Sequence, residues 1–175
     1  MKKLALAAAS VFLLASAANA AGPDRVLYPK GFETDFLLYN QVDRPDRKRI
    51  RFMYVNKNAA SQTKPGADAP DGTVLVMEDH EAELDTAGNP LLDPDGRMKA
   101  SAKVSGVFVM EKRAGWGLDI PESRRNSDWD YASFQPTGVV NATANLEPCF
   151  TCHLARKSRD FTFTFFKNAA DGLPR

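Results

Sequence analysis

Both cysteines of this chain and one of its two histidines fall in a single run, Cys149-Phe150-Thr151-Cys152-His153, and that run limits what the chain can fold around. Two thiols separated by two residues match the two vinyl groups of a haem, each able to form one thioether, and the next residue then falls beneath the iron. Imidazole is a good axial ligand, so the spacing assigns Cys149 and Cys152 to one covalently attached haem c and His153 to the proximal position. Two other chemistries use the same residues. A Cys-x-x-Cys redox dithiol usually opens a helix in a βαβ setting, which the flanking sequence does not provide. A structural zinc takes four ligands. Beyond these three side chains only the distant His80 is at hand, so a closed zinc site would also need a carboxylate.

The N-terminus agrees with an exported haem protein. Lys2 and Lys3 precede an apolar stretch from Leu4 to Ala17, and Ala18-Asn19-Ala20 supplies small residues for cleavage. Residues 1–20 therefore read as a signal peptide and 21–175 as one mature domain, expected in the periplasm. The apolar stretch is shorter than the roughly 20 residues a membrane helix needs. Removing it takes away two lysines and no acids, turning 23 basic and 22 acidic residues into 21 and 22. A near-neutral chain without a long basic face gives no reason to expect nucleic acid.

Hydrophobic periodicity points to strands rather than helices. Residues 23–42 mix apolar and aromatic side chains around Pro29-Lys30-Gly31 and read as an extended arm or a short helix. The charged stretch from Asp43 to Arg49 reads as a solvated loop. Ile50, Phe52 and Tyr54 alternate with Arg49, Arg51 and Met53, the period of a strand with one buried face. Residues 56–69 form a long loop with a helical turn at 58–62. Pro70-Asp71-Gly72 then turns the chain into a strand at 73–77. Gly88-Asn89-Pro90 and Asp93-Pro94-Asp95-Gly96 predict a hairpin with an irregular tip, followed by strands at 102–110 and 129–134. Phe161, Phe163 and Phe165, alternating with Thr162 and Thr164, predict a closing strand. The fold class is mainly β with short helices, and the haem motif lies near its C-terminal end.

A sixth iron ligand would normally be histidine or methionine. His80 sits in an acidic run and reads as an exposed turn residue, while Met53, Met77, Met98 and Met110 fall in strand or turn contexts and read as core filler. The expectation is an open iron, which favours small-molecule chemistry over pure electron transfer.

Several segments in order carry a family resemblance: Tyr28-Pro29, residues 70–78 (PDGTVLVME), 109–117 (VMEKRAGWG), Trp129-Asp130-Tyr131-Ala132, the haem motif, and residues 160–164 (DFTFT). Together they resemble the cytochrome P-460 family. The resemblance implies an antiparallel β sheet, a homodimer and a single five-coordinate haem c; the best-studied members oxidise hydroxylamine, and related proteins bind nitric oxide. It also implies two further site residues. A lysine in the loop after the first strand bonds to the haem ring, and Lys64 matches it by position. A distal carboxylate follows a tryptophan, usually as Trp-Glu; here Asp130 follows Trp129, one methylene shorter. The expected function is a periplasmic oxidoreductase acting on hydroxylamine or nitric oxide, with Asp130 taking the proton and a redox protein as partner. The alternative is a non-enzymatic haem c electron carrier or nitric oxide-binding protein similar to cytochrome c′-beta.

Overall fold

The computed structural model describes residues 25–173. The expected signal peptide, residues 1–20, lies outside them. Five strands form one antiparallel sheet in chain order: β1 (Phe36–Arg44), β2 (Arg49–Asn56), β3 (Val74–Ala82), β4 (Ala100–Lys112) and β5 (Trp129–Phe134). Four short helices accompany them: α1 (Phe32–Asp35), α2 (Lys57–Gln62), α3 (Glu147–Leu154) and α4 (Phe165–Asp171). The mainly β class and the antiparallel order are as expected. Among the described residues no helix is long and apolar enough to cross a membrane.

Strands β2 to β5 stand where the alternation predicts them, and the first three run longer than their sequence signals, because pairing continues past the apolar residues. The register Val55↔Leu75, Leu75↔Met110 and Met110↔Tyr131 aligns one row across four strands, and its neighbours Tyr54, Val76, Val109 and Ala132 form the opposite row. Side chains alternate across a strand, so the two rows face two different cores. On one face Val55, Leu75, Trp129 and Tyr131 pack with Phe150, Phe161 and Phe165. On the other, Tyr54, Val76, Val107, Val109, Ala132 and Phe134 are sealed by Val26 and Phe32 of the N-terminal segment.

Two expectations are corrected. The arm at 23–42 is α1 followed by a full edge strand, β1, whose register shifts between Leu38 and Asn40; the extra residue breaks the alternation that would have marked it as a strand. The closing strand at 161–165 does not exist. Asp160 and Phe161 both have positive φ (46° and 57°), which turns the chain back toward α3, and Phe165 opens α4 instead. Thr162 is as buried as the phenylalanines beside it, so the alternation there does not separate a wet face from a dry one.

The hairpin between β3 and β4 has the irregular tip expected, held by the bridges Leu84↔Pro90 and Leu92↔Met98. Its base carries a third correction. His80 is a half-buried strand residue, not an exposed turn: Nδ1 lies 2.9 Å from the Ser101 carbonyl, Nε2 lies 3.1 Å from Glu78, and Phe52 packs on the ring.

Candidate haem site

The haem motif forms helix α3 itself. Asn145 Oδ1 accepts the Glu147 N–H at 3.0 Å and Pro148 occupies the first turn, where its missing N–H costs nothing. Residues 149 and 152, three apart on a helix, share a face. Cys149 is half-buried against the Trp129, Tyr131 and Phe150 core, Cys152 is exposed, and both are free thiols. Burial, and secondarily the neighbouring Cys152, push the Cys149 thiol pKa upward. That favours an uncharged sulfur at this position, and a thioether is uncharged.

His153 is held on three sides. Tyr131 lies 5.1 Å away and Phe163 5.0 Å away between ring centres, and Nδ1 lies 2.6 Å from the Phe161 carbonyl. A carbonyl can only accept, so Nδ1 carries the proton and Nε2 keeps its lone pair for a metal. Burial lowers the His153 pKa and thereby favours the neutral ring that ligation requires. The positive φ at Asp160 and Phe161 places this carbonyl, so the bend that replaces the expected closing strand is what orients the His153 ring.

Asn126, fully buried, ties the supports together. Its Nδ2 lies 2.8 Å from the Tyr131 hydroxyl and 3.1 Å from the Phe150 carbonyl, joining β5 to α3. Behind it, a Cβ on Gly117 would meet the Ser127 carbonyl at 2.2 Å, so only glycine lets this loop close against the start of β5. Asp160 is also buried. Its carboxylate receives Lys112 Nζ at 2.9 Å and the Ala69 N–H at 2.9 Å, yet desolvation outweighs both and raises its pKa. The sequence reading missed Asn126, Lys112 and Asp160; the signal for the last was its place just before the phenylalanine run.

The chain carries the donors that a haem needs. Two free thiols and an imidazole with an open Nε2 lie on one helix, against aromatic walls. Trp129 Nε1, buried on this same face, has no acceptor among the described residues. The family model for cytochrome P460 matches residues 29–164. The chain belongs to the cytochrome P460 family. No curated protein matches it at a significant level. Membership implies a haem cofactor, and the matched residues include the helix just described.

The two residues assigned from the resemblance are not beside that helix's core. Asp130 alternates with Trp129 and Tyr131 and therefore faces the opposite side of the sheet, opposite Glu111 in the register. There it is fully buried, with Oδ2 3.2 Å from Arg25 Nε. Lys64 is exposed in the loop after α2. A cavity of about 770 Å³ opens beside that loop, lined by Lys57, Thr63 and Pro65 with Leu37 of β1 and Ala169 of α4. Of the two lysines, Lys57 reaches this cavity and Lys64 does not line it. His80 lies on the Asp130 side with both ring nitrogens engaged, and Met98 is in a separate small core with Ile50. Met53 and Met110 pack against the core on the α3 side, and Met53 Sδ lies 3.1 Å from the Thr164 hydroxyl.

Proposed function

We propose that this cytochrome P460 protein is an exported haem c protein whose iron, held by His153, keeps an open position for a small nitrogen ligand, nitric oxide or hydroxylamine. The observation that carries it is the 2.6 Å contact between His153 Nδ1 and the Phe161 carbonyl, which leaves Nε2 as the ring's free donor beside two free thiols. Residues 1–20 support a periplasmic location, where haem c is normally attached. Haem staining after denaturing electrophoresis of protein matured with a c-type attachment system tests it. Covalent haem that disappears in Cys149→Ala/Cys152→Ala is expected, with a high-spin ferric resonance in the wild type. A mature mass without added haem overturns it.

Ligand binding and oxidation make different demands. Oxidising hydroxylamine requires a base within about 3 Å of the proton, or one water away. Asp130 is the candidate the sequence offers, and it points to the other face of the sheet against Arg25. This favours the ligand-binding reading, with electron exchange to a partner, over the oxidoreductase reading. Dye reduction driven by hydroxylamine in wild type and Asp130→Ala separates them: turnover abolished in the variant restores Asp130 as the base, whereas reversible nitric oxide binding without turnover supports the first reading.

A further inference from the structure

We propose that the cationic turn following α3, built from Arg156, Lys157 and Arg159, is the docking surface for an acidic electron-carrying protein; this rests on the reading that Cys149 and Cys152 carry a haem. Helix α3 ends at Leu154, and the Arg156 N–H donates to the His153 carbonyl at 2.8 Å, so the chain curls over the end of the haem helix. Arg156 follows the end of α3 by two residues and lies four residues after Cys152 in the chain. Cys152 is exposed, and so are Lys157 and Arg159. The edge of the site therefore reaches the surface next to these charges.

The charge is not neutralised locally. No acid occurs between residues 148 and 159. Glu147 is committed to Arg124, and Asp160 is buried on Lys112. Among the described residues no ion pair engages Arg156, Lys157 or Arg159, whereas cations of the sheet and hairpin are matched, as in Arg51–Asp79, Arg97–Asp43, Lys99–Glu83 and Lys103–Glu81. Arg156 also lies 4.7 Å over the Phe163 ring, which packs 5.0 Å from His153, so one ring separates its guanidinium from the imidazole. Three charges on an exposed turn do not enclose a small anion, since small-molecule sites are concave. They do match an acidic protein surface, where complementary charge accelerates encounter. No bond forms in the step: the partner's oxidised metal centre gains the one electron that the ferrous haem loses, and the haem becomes ferric.

The probe is plastocyanin, an acidic one-copper protein, with haem-loaded wild type and Lys157→Glu/Arg159→Glu. Arg156 is left in place because it packs on Phe163. The double variant is expected to keep the wild-type haem spectrum. Reduction of cupric plastocyanin at low ionic strength should slow roughly tenfold or more, and the rate should lose its dependence on salt. Plastocyanin NMR resonances that shift with wild type should not shift with the variant, while Lys30→Glu behaves as wild type. Equal rates and equal NMR shifts for wild type and double variant overturn the proposal. A wild-type dimer that dissociates in the double variant, with plastocyanin binding unchanged, overturns it in favour of a second copy of this chain. If no covalent haem is found, the haem reading fails separately, and the NMR titration of the haem-free chain still decides the docking.

Discussion

The two faces of the sheet are built from the same five strands and are put to different uses. On the face away from α3, β-branched residues (Val76, Val107, Val109) meet Val26 and Phe32, and the N-terminal segment closes over them. That face is a conventional core, where Glu78 engages His80 and Tyr54 and Asp130 lies beside Arg25 without an aligned hydrogen bond between Oδ2 and Nε. On the face toward α3 the packing is aromatic, from Tyr39, Trp129, Tyr131, Phe150, Phe161 and Phe165. Here buried polar groups are spent on orientation. Asn126 joins Tyr131 to the helix, the Phe161 carbonyl fixes His153, and Trp129 Nε1 is left open. A residue on either face can matter for stability; only one face should matter for the haem.

That contrast is broken most sharply by removing one large ring from each side. Phe150 and Phe32 are both essentially fully buried. Truncating a buried phenylalanine to alanine costs about 3–5 kcal/mol, so Phe150→Ala and Phe32→Ala should lower stability to urea by similar amounts. Only Phe150→Ala should alter the ferric spin state and nitric oxide affinity of the haem-loaded protein, because the Phe150 ring packs 4.8 Å from Tyr131, which in turn packs 5.1 Å from His153. Equal spectral changes in both variants would mean that the faces are not separate.

The Cys-x-x-Cys-His run is legible in the sequence because its spacing is local, and the central strands are legible wherever burial alternates. What depends on chain reversal or on long-range pairing is not. The bulge in β1 puts Leu38 and Asn40 out of step, so a paired strand reads as irregular. Two consecutive positive φ values at Asp160 and Phe161, neither of them glycine, leave no compositional trace, yet they turn a strand-like pattern into the loop that grips His153. The side to which Asp130 points followed from alternation with Trp129. Which side holds the helix did not, because that is settled by contacts between residues far apart in the chain.

A smaller effect is expected where buried charge sits on the haem side. Lys112 and Asp160 are 12% and 3% exposed as side chains, and the carboxylate also anchors Ala69. Removing one partner of a buried pair strands the other, at about 3 kcal/mol. Asp160→Ala should therefore lose about that much in denaturant unfolding, while Asp160→Ala/Lys112→Met should recover part of the loss. The single variant should also loosen the bend at Phe161, seen as weaker retention of His153 ligation at low pH than in the double variant.

The smallest effect belongs to Asp130, on the opposite face, and its sign separates a buried acid from a catalytic one. The Arg25 guanidinium spends Nη1 on Asp119 at 2.9 Å and Nη2 on the Trp116 carbonyl at 2.9 Å. Its Nε is 3.2 Å from Asp130 Oδ2, but neither atom makes a well-aligned hydrogen bond. Desolvation therefore wins over the Tyr131 N–H and Arg25, and the Asp130 pKa rises above its ordinary 3.8. An acid raised in the folded state holds its proton after the unfolded chain has lost it. Its contribution to stability thus falls as pH climbs from about 3.8 through the folded value, and stays lower above it. Asp130→Asn cannot titrate, so its stability relative to wild type should rise over that window, by about 1.4 kcal/mol for every tenfold weakening of the acid that folding causes. Urea unfolding at several pH values between 4 and 7 measures the slope. A variant that tracks wild type throughout would show the carboxyl titrating as it does in the unfolded chain. A changed slope with unchanged nitric oxide binding would mark Asp130 as a buried acid of the N-terminal face alone.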